Sequence, residues 1–445
     1  MQSYRSLLEA SGEKILKTIS RLRTKDYIIA LTAVIAAKVS FELRYWFLKP
    51  PFPGPSFLSL IRASLGGVSS VVDFVDASAR EHERVYSIRT PKGPVVVVSD
   101  PDLGRSLLKQ RPKKFARWKV PRLLNEMNMA IAEGNQWQRL RRHGSAPLNE
   151  TRVLALISTL CAEADELILK VRRDGEEFMV WSSPEHDIHR LCEFGMSPMK
   201  VLYEDRMLSK AVFPPARRLH GDWRYLREII QEDADMTALA SLTTKELTDN
   251  VLLFWLAGSE TVSVTLAWLL YLLCLNPDIQ RQARQEALAA RDDLVSAAKT
   301  NALPFIEACI HETLRLHSPA PLIPLTAATE AEIEGKLIKP GTLVLVLLAA
   351  PMLREGNDFR PERWFTSDGN SIDREKANGH LAFGFGRRRC PGRDLAIKEA
   401  MIVTAKLLIA FNNIRLSPNA KVTPVYNTVV TLKPAGLMLE VTPAG

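Results

Sequence analysis

Phe383-Gly384-Phe385-Gly386-Arg387-Arg388-Arg389-Cys390-Pro391-Gly392 is the stretch on which the reading of this chain turns. Glycines, arginines, a thiol and a proline crowd together there, a composition that neither a regular helix nor a strand carries. Glycine opens backbone conformations with φ > 0 and lets a flat partner approach closely. Proline suits the first turn of a helix, and Arg393-Asp394-Leu395-Ala396-Ile397-Lys398-Glu399-Ala400 has helical composition. The reading therefore sets Cys390 at a helix N-terminus, where partial positive charge favours a thiolate. A lone cysteine is more often structural. The glycines and the Arg388-x-Cys390-x-Gly392 spacing instead favour a sulfur offered to something planar.

Working outward, 445 residues at 46% hydrophobic content bury a large core. A net charge of +9 points to an acidic partner or an anionic surface. Nucleic acid is not that partner, because no aromatic-interleaved basic patch, zinc-finger spacing or RNA-binding signature is present. Cys161, Cys192, Cys274, Cys309 and Cys390 are scattered, without a CxxC pair. That argues against structural zinc and a disulfide framework and fits a reducing compartment. Cys161, Cys274 and Cys309 lie in apolar helical patterns and read as core.

The chain divides into a membrane-associated leader (residues 1–49), a proline-rich hinge (50–55) and a body (56–445). The leader opens with a basic amphipathic segment suited to an anionic membrane surface. Its apolar run, residues 27–37 and 39–43 around Lys38, is short and impure for a span. In the body, 85–88 and 94–98 read as strands, and Asp100-Pro101 starts a helix to about Gln110. Trp137 and Arg141 share a helix face, which alone reads as a solvated basic surface. Residues 251–275 are almost wholly apolar, yet Ala257-Gly258-Ser259-Glu260-Thr261 sits inside. A carboxylate and hydroxyls there oppose a membrane span and favour a buried central helix. The Thr261 hydroxyl is placed to bond back to the Ala257 carbonyl, and Glu260 with Thr261 makes an acid–alcohol pair able to move protons. Glu312 and Arg315 share a helix face, and Arg363 follows in Pro361-Glu362-Arg363-Trp364. A strand is expected at 343–348, and a hairpin over 428–441 turning at Pro434-Ala435-Gly436.

Phe383, Gly386, Arg388, Cys390 and Gly392 match every fixed position of Phe-x-x-Gly-x-Arg-x-Cys-x-Gly, the haem-thiolate signature of the cytochrome P-450 family. Trp137-x-x-x-Arg141, Ala257-Gly258-x-Glu260-Thr261 and Glu312-x-x-Arg315 with its later Arg363 resemble that family's other motifs, in its order. The chain thus resembles the microsomal eukaryotic type. The resemblance implies a mainly α fold with small β-sheets. It implies a haem, iron-protoporphyrin IX, with the Cys390 thiolate as axial ligand to the iron. Phe383, Gly386, Gly392, Ala257 and Gly258 would surround it, and Trp137, Arg141 and Arg388 would meet its propionates. Glu260 and Thr261 would deliver protons, while Glu312, Arg315 and Arg363 would form a structural network.

The implied activity is monooxygenation of a lipophilic small molecule by O2, of the kind used in secondary metabolism. Electrons would come from NADPH through a flavoprotein reductase. Arg387, Arg389, Arg393 and Lys398 offer that partner a basic face, with a solvated charge run as the alternative. The leader implies the endoplasmic-reticulum membrane with a cytosolic catalytic domain, against a competing mitochondrial presequence. The chain departs from the family in two places. Residues 202–233 look short for the lid helices, and Ala349-Ala350-Pro351-Met352-Leu353 replaces the usual His-Arg-Asp-Pro. These departures leave open a haem-binding but catalytically impaired member. A haem-thiolate isomerase or dehydratase is also open, with the Glu260-Thr261 pair against it. Leu253, Phe254, residues 320–325 and 127–131 are candidate pocket walls, and the substrate itself is not legible.

Overall fold

Val95-Val96-Val97-Val98 is an unbroken β-branched run, which favours a strand buried on both faces. All four side chains are buried. In the computed structural model they lie in β2 (Gly93–Val98), antiparallel to β1 (Val85–Thr90) from Val85↔Val98 to Thr90↔Gly93. The structure describes residues 50–118 except 66, 83 and 91, together with 128–173, 177–181, 242–348, 356–426 and 431–444. The leader 1–49, the stretch 202–233, Ala349 to Leu353 and Met127 lie outside the described residues.

Helices α1 (Phe57–Leu65) and α2 (Gly67–Glu81) precede the sheet. The proline-rich segment before them is docked on it. Phe52 is buried and its N–H donates to Ser87 Oγ, while the Ser87 N–H donates to the Pro53 carbonyl. A Cβ on Gly54 would lie 2.0 Å from the Ser87 carbonyl oxygen, so glycine alone permits this crossing. Asp100 accepts from the Leu103 N–H and caps α3 (Pro101–Lys109), whose first residue is the proline. β3 (Phe115–Arg117), β5 (Leu322–Ala327) and β8 (Leu343–Leu347) complete a five-stranded sheet in the order β1-β2-β8-β5-β3. The β2–β8 pair is parallel and the others antiparallel.

The helices carry the larger core: α4 (Gly134–Gly144), α5 (Glu150–Arg173), α6 (Thr244–Leu275), α7 (Pro277–Ala289), α8 (Leu294–Thr300), α9 (Pro304–Leu316), α10 (Arg374–Gly379) and α11 (Arg393–Ala410). One continuous cluster joins α5, α6, α7, α9 and α11. The apolar run of α6 is core, as read from sequence: residues 262–273 are buried except Tyr271. No single helix among the described residues is long and apolar enough to cross a membrane. Thr243 and Glu246 form a capping box that fixes where α6 begins.

Smaller sheets close the C-terminal part. β4 (Glu177–Trp181), β12 (Leu437–Pro443) and β9 (Phe411–Leu416) form one; β10 (Thr423–Tyr426) pairs with β11 (Leu432–Ala435), and β6 (Ala331–Ile333) with β7 (Lys336–Ile338). The expected hairpin is therefore corrected. β11 and β12 flank Gly436 but belong to different sheets. Gly436 has φ +75 and a Cβ there would meet the Lys421 carbonyl oxygen at 2.4 Å, so the chain is redirected between sheets instead of folding on itself.

Glu312 locks the helical core. It and Arg315 are 0% exposed, and both carboxylate oxygens accept from Arg315 at 2.8 Å. Arg363 Nε (2.8 Å), the Arg360 N–H (3.0 Å) and Trp364 Nε1 (2.9 Å) also donate to Glu312. Burial alone would raise the pKa of this carboxyl; the donors led by Arg315 outweigh it and hold it below its usual range. Trp364 is the member that sequence reasoning missed. Glu312→Gln leaves the buried Arg315 cation without a counter-charge and is expected to cost about 3–5 kcal/mol in denaturant unfolding. A loss below about 1 kcal/mol would show the network is not a structural lock.

Glu399, on α11, is the opposite case. It is buried and its Oε1 has no hydrogen-bond partner among the described residues. Burial pushes its pKa well above the ordinary value, so the folded protein keeps it protonated while the unfolded chain ionises it above about 4.5. The folded state then binds the extra proton, and stability falls as pH rises past that point. Glu399→Gln is expected to raise the Tm at pH 8 and flatten this fall between pH 5 and 8; a Tm–pH curve parallel to the parent's would contradict it.

Candidate functional site

The cysteine loop is held by backbone bonds that its composition makes possible. His380 Nδ1 accepts from the Ala382 N–H at 3.0 Å, capping the single turn of residues 381–383. Gly384 and Gly386 adopt φ +68 and +71, a region other residues rarely enter. The Cys390 N–H then donates to the Phe383 carbonyl at 2.8 Å and closes the loop. Helix α11 begins at Arg393 with Gly392 as its cap, so Pro391 stands before the helix and not in its first turn. Cys390 is correspondingly outside the helix, yet the Gly392 N–H still donates to its sulfur. Among the described cysteines Cys390 is the exposed one; Cys161 and Cys309 are buried and Cys274 half-buried. Cys390 is open on one side and walled by protein elsewhere. Desolvation pushes its thiol up, opposed by the Gly392 N–H and the guanidiniums of Arg141 and Arg389.

A cluster of arginines stands beside the sulfur. Arg388 lies over the buried Trp137 ring at 4.2 Å, and its Nη2 donates to Glu133 at 2.5 Å. Glu133 also faces Arg111 at 3.5 Å and accepts from the Arg117 N–H at 3.0 Å. Burial holds the Arg388 pKa down at about 10; Glu133 opposes that, and Arg111, Arg117 and Arg141 add to it. Arg388 Nε and Arg111 Nε are buried with no partner among the described residues. Among the described residues one carboxylate therefore serves several crowded guanidiniums, and the cluster is short of negative charge. Glu133 was missed in the sequence, although an acid directly before Gly134 in a basic stretch carried that signal.

Thr261 and Glu260 occupy a separate arm of the site, on α6. Thr261 Oγ1 donates to the Ala257 carbonyl at 2.7 Å, and Thr265 Oγ1 to the Thr261 carbonyl at 2.8 Å. Successive back-bonds of this kind run down the helix face that bears Gly258. Beside Thr261, Glu260 Oε1 accepts from Thr431 Oγ1 at 2.8 Å and ties α6 to the start of β11. The two arms are joined by Arg139, on the same helix as Trp137 and Arg141, which pairs with both carboxylate oxygens of Glu246 at the start of α6. Burial would raise the Glu246 pKa; Arg139 and the Thr243 cap keep it low.

The basic face is smaller than expected. Lys398 is buried, and its Nζ donates to the Ala298 carbonyl and Asn301 Oδ1. Arg387 is exposed, with Arg389 and Arg393 half-buried beside it. Of the candidate walls, Leu253 and Phe254 are half-buried on α6, and Met129 is buried. The bend at 320–325 reaches the loop: Ile323 Cδ1 would be 3.6 Å from a Cβ on Gly384.

These residues fit a haem. An accessible sulfur carries a backbone donor, a Cβ on Gly392 would meet nothing within 4 Å, and the unpartnered guanidinium nitrogens call for carboxylates such as propionates.

Comparison with known proteins agrees. The pattern of the family described as Cytochrome P450 matches residues 48–191 and 217–441. The chain is similar to a 2-hydroxyisoflavanone synthase of Glycyrrhiza uralensis, 30% identical over 209 residues, which are 44% of this chain and 40% of the relative. It is similar to the methyltetrahydroprotoberberine 14-monooxygenase of Papaver somniferum, 34% identical over 176 residues, 38% of this chain and 33% of the relative. A ferruginol synthase of Isodon rubescens is 32% identical over 218 residues, 47% of this chain and 42% of that protein. The aligned part thus spans less than half the length of these relatives. With the family pattern running over most of its length and a thiolate loop built to take haem, the chain belongs to the cytochrome P450 family.

Proposed function

We propose that the chain is a haem-thiolate monooxygenase that inserts one oxygen atom from O2 into a lipophilic small molecule. The observation that carries this reading is the exposed Cys390 sulfur, held by the Gly392 N–H beside an arginine cluster short of negative charge. The similarity to the 14-monooxygenase of Papaver somniferum supports the same activity here. When bound, haem supplies the one-electron and O2 chemistry, with a thiolate ligand favouring O–O cleavage.

The chain's own residues have distinct tasks. Cys390 provides the ligand, and the Gly392 N–H tempers the charge on its sulfur. Trp137, Arg141 and Arg388 hold the propionates, with Glu133 keeping Arg388 in its stacked position. Thr261 holds a hydroxyl on the distal helix face, its proton committed to the Ala257 carbonyl and its oxygen left to accept. Glu260, tied to Thr431, orients that helix and stands next to Thr261 as the acid of the proton-delivering pair. Leu253, Phe254 and Ile323 offer apolar surface that excludes water and suits a lipophilic substrate.

Electrons come from NADPH through a flavoprotein reductase, for which Arg387, Arg389 and Arg393 provide a basic docking face. The basic amphipathic leader supports attachment to the endoplasmic-reticulum membrane with the body cytosolic.

The test uses the purified holoenzyme with a microsomal flavoprotein reductase and NADPH. O2 consumption above that of the reductase alone is expected, and Thr261→Ala should release several-fold more peroxide per NADPH than the parent. A chain that turns over without consuming O2 would be an isomerase or dehydratase. Unchanged peroxide release in Thr261→Ala would remove the assigned proton role.

A further inference from the structure

A second cleft, of about 680 Å³, opens between α5, α7 and the C-terminal end of α11. Helix α11 is 18 residues long, so this end stands about 27 Å along its axis from the end nearest the thiolate loop. The cleft plays no part in the chemistry above. Its volume falls within the range of small-molecule sites, about 300–1,000 Å³.

The rim is cationic. Among the described residues, Arg172, Arg284, Arg291 and Lys406 line it with one carboxylate, Asp165. The cations are unequally engaged. Lys406 pairs with Asp165 at 2.7 Å. Arg284 is committed to the Phe411 carbonyl at 3.2 Å and Asn412 Oδ1 at 2.6 Å, where helix α11 ends and its carbonyls need donors. Arg172 reaches the Ala410 carbonyl at 3.5 Å, the outer limit of a hydrogen bond. Arg291 touches its sequence neighbour Asp292 at 3.5 Å, with both side chains mostly in water. Two guanidinium forks therefore remain to recruit an anion, from helix α5 and from the α7–α8 corner.

The wall is apolar. Ile168, Leu169, Leu288 and Ile409 line it, and Leu169 is 51% exposed. A solvated charge run needs no such wall, and a packing gap in the core would not gather arginines at its mouth. Guanidinium forks beside exposed aliphatic surface suit a ligand with an oxyanion at one end and an apolar chain at the other.

We propose that this cleft binds a small amphipathic anion, a carboxylate or phosphate head on an apolar chain. Arg172 and Arg291 hold the head, and Leu169, Leu288 and Ile409 cover the chain.

The test is calorimetric titration of the full-length holoenzyme with dodecanoate and with dodecyl phosphate below their micellar concentrations. An azole ligand saturates the haem site throughout, so that binding near the thiolate loop does not contribute. One equivalent of either amphiphile is expected to bind. The double variant Arg172→Ala/Arg291→Ala should weaken it at least tenfold, and Leu288→Ser should weaken it less, with unfolding temperature and azole-bound spectrum unchanged. Dodecanol, which lacks the charge, should not saturate the site. Inorganic phosphate separates a lipid-like ligand from a free anion: if it binds as tightly as dodecyl phosphate, the amphiphile assignment falls. Absence of saturable binding in the azole-blocked enzyme, or binding undiminished in the double variant, overturns the proposal.

Discussion

Cys390 must be open to one partner and shielded from everything else, and the surrounding structure serves that constraint. Its own N–H bonds back to Phe383, the Gly392 N–H points at its sulfur, and Gly384 and Gly386 turn the chain through conformations that side chains disfavour. Behind it, α11 runs through the core with 13 of its 18 residues buried, so the loop is anchored to a helix packed into the core. The Glu312 network then fixes α9 to the segment at residues 360–364. A thiol placed on a loose loop would be oxidised or would turn inward; here the backbone leaves it little choice.

Charge organises the other side. Among the described residues the arginines beside Trp137 are held at close quarters by a single carboxylate, an arrangement that raises the energy of the cluster until further anions arrive. The same local shortage of negative charge serves recognition, because a carboxylate entering the cluster exchanges repulsion for bidentate bonds. The Arg139–Glu246 pair carries this ordering across to the start of α6, so cofactor-binding and distal helices share one frame.

Local spacing made much of this readable. The Cys390 loop, the Thr261 back-bond, the Glu312–Arg315 pair and the burial of α6 all depend on residues close in sequence or on a helix period, and these survive translation into the fold. What the sequence did not show depends on partners far along the chain. Glu260 with Thr431 joins residues 171 positions apart, which no local pattern announces, and the acid before Gly134 hinted at a basic partner without naming Arg388, 255 positions away. Lys398 looked like surface because lysine usually is, but its Nζ satisfies the carbonyl of Ala298, near the end of α8. The expected hairpin had correct alternation and a correct turn residue; only the pairing partners, set by Gly436 passing close to Lys421, were invisible.

The central claim is that Cys390 presents its sulfur to a haem iron. The most direct measurement is the absorption spectrum of the reduced protein with carbon monoxide, recorded for the parent and for Cys390→His. A strongly red-shifted Soret band in the parent, replaced in the variant by the unshifted band of a nitrogen-ligated haem, is the predicted result. A parent that retains no haem, or whose band is already that of a nitrogen ligand, would contradict the account.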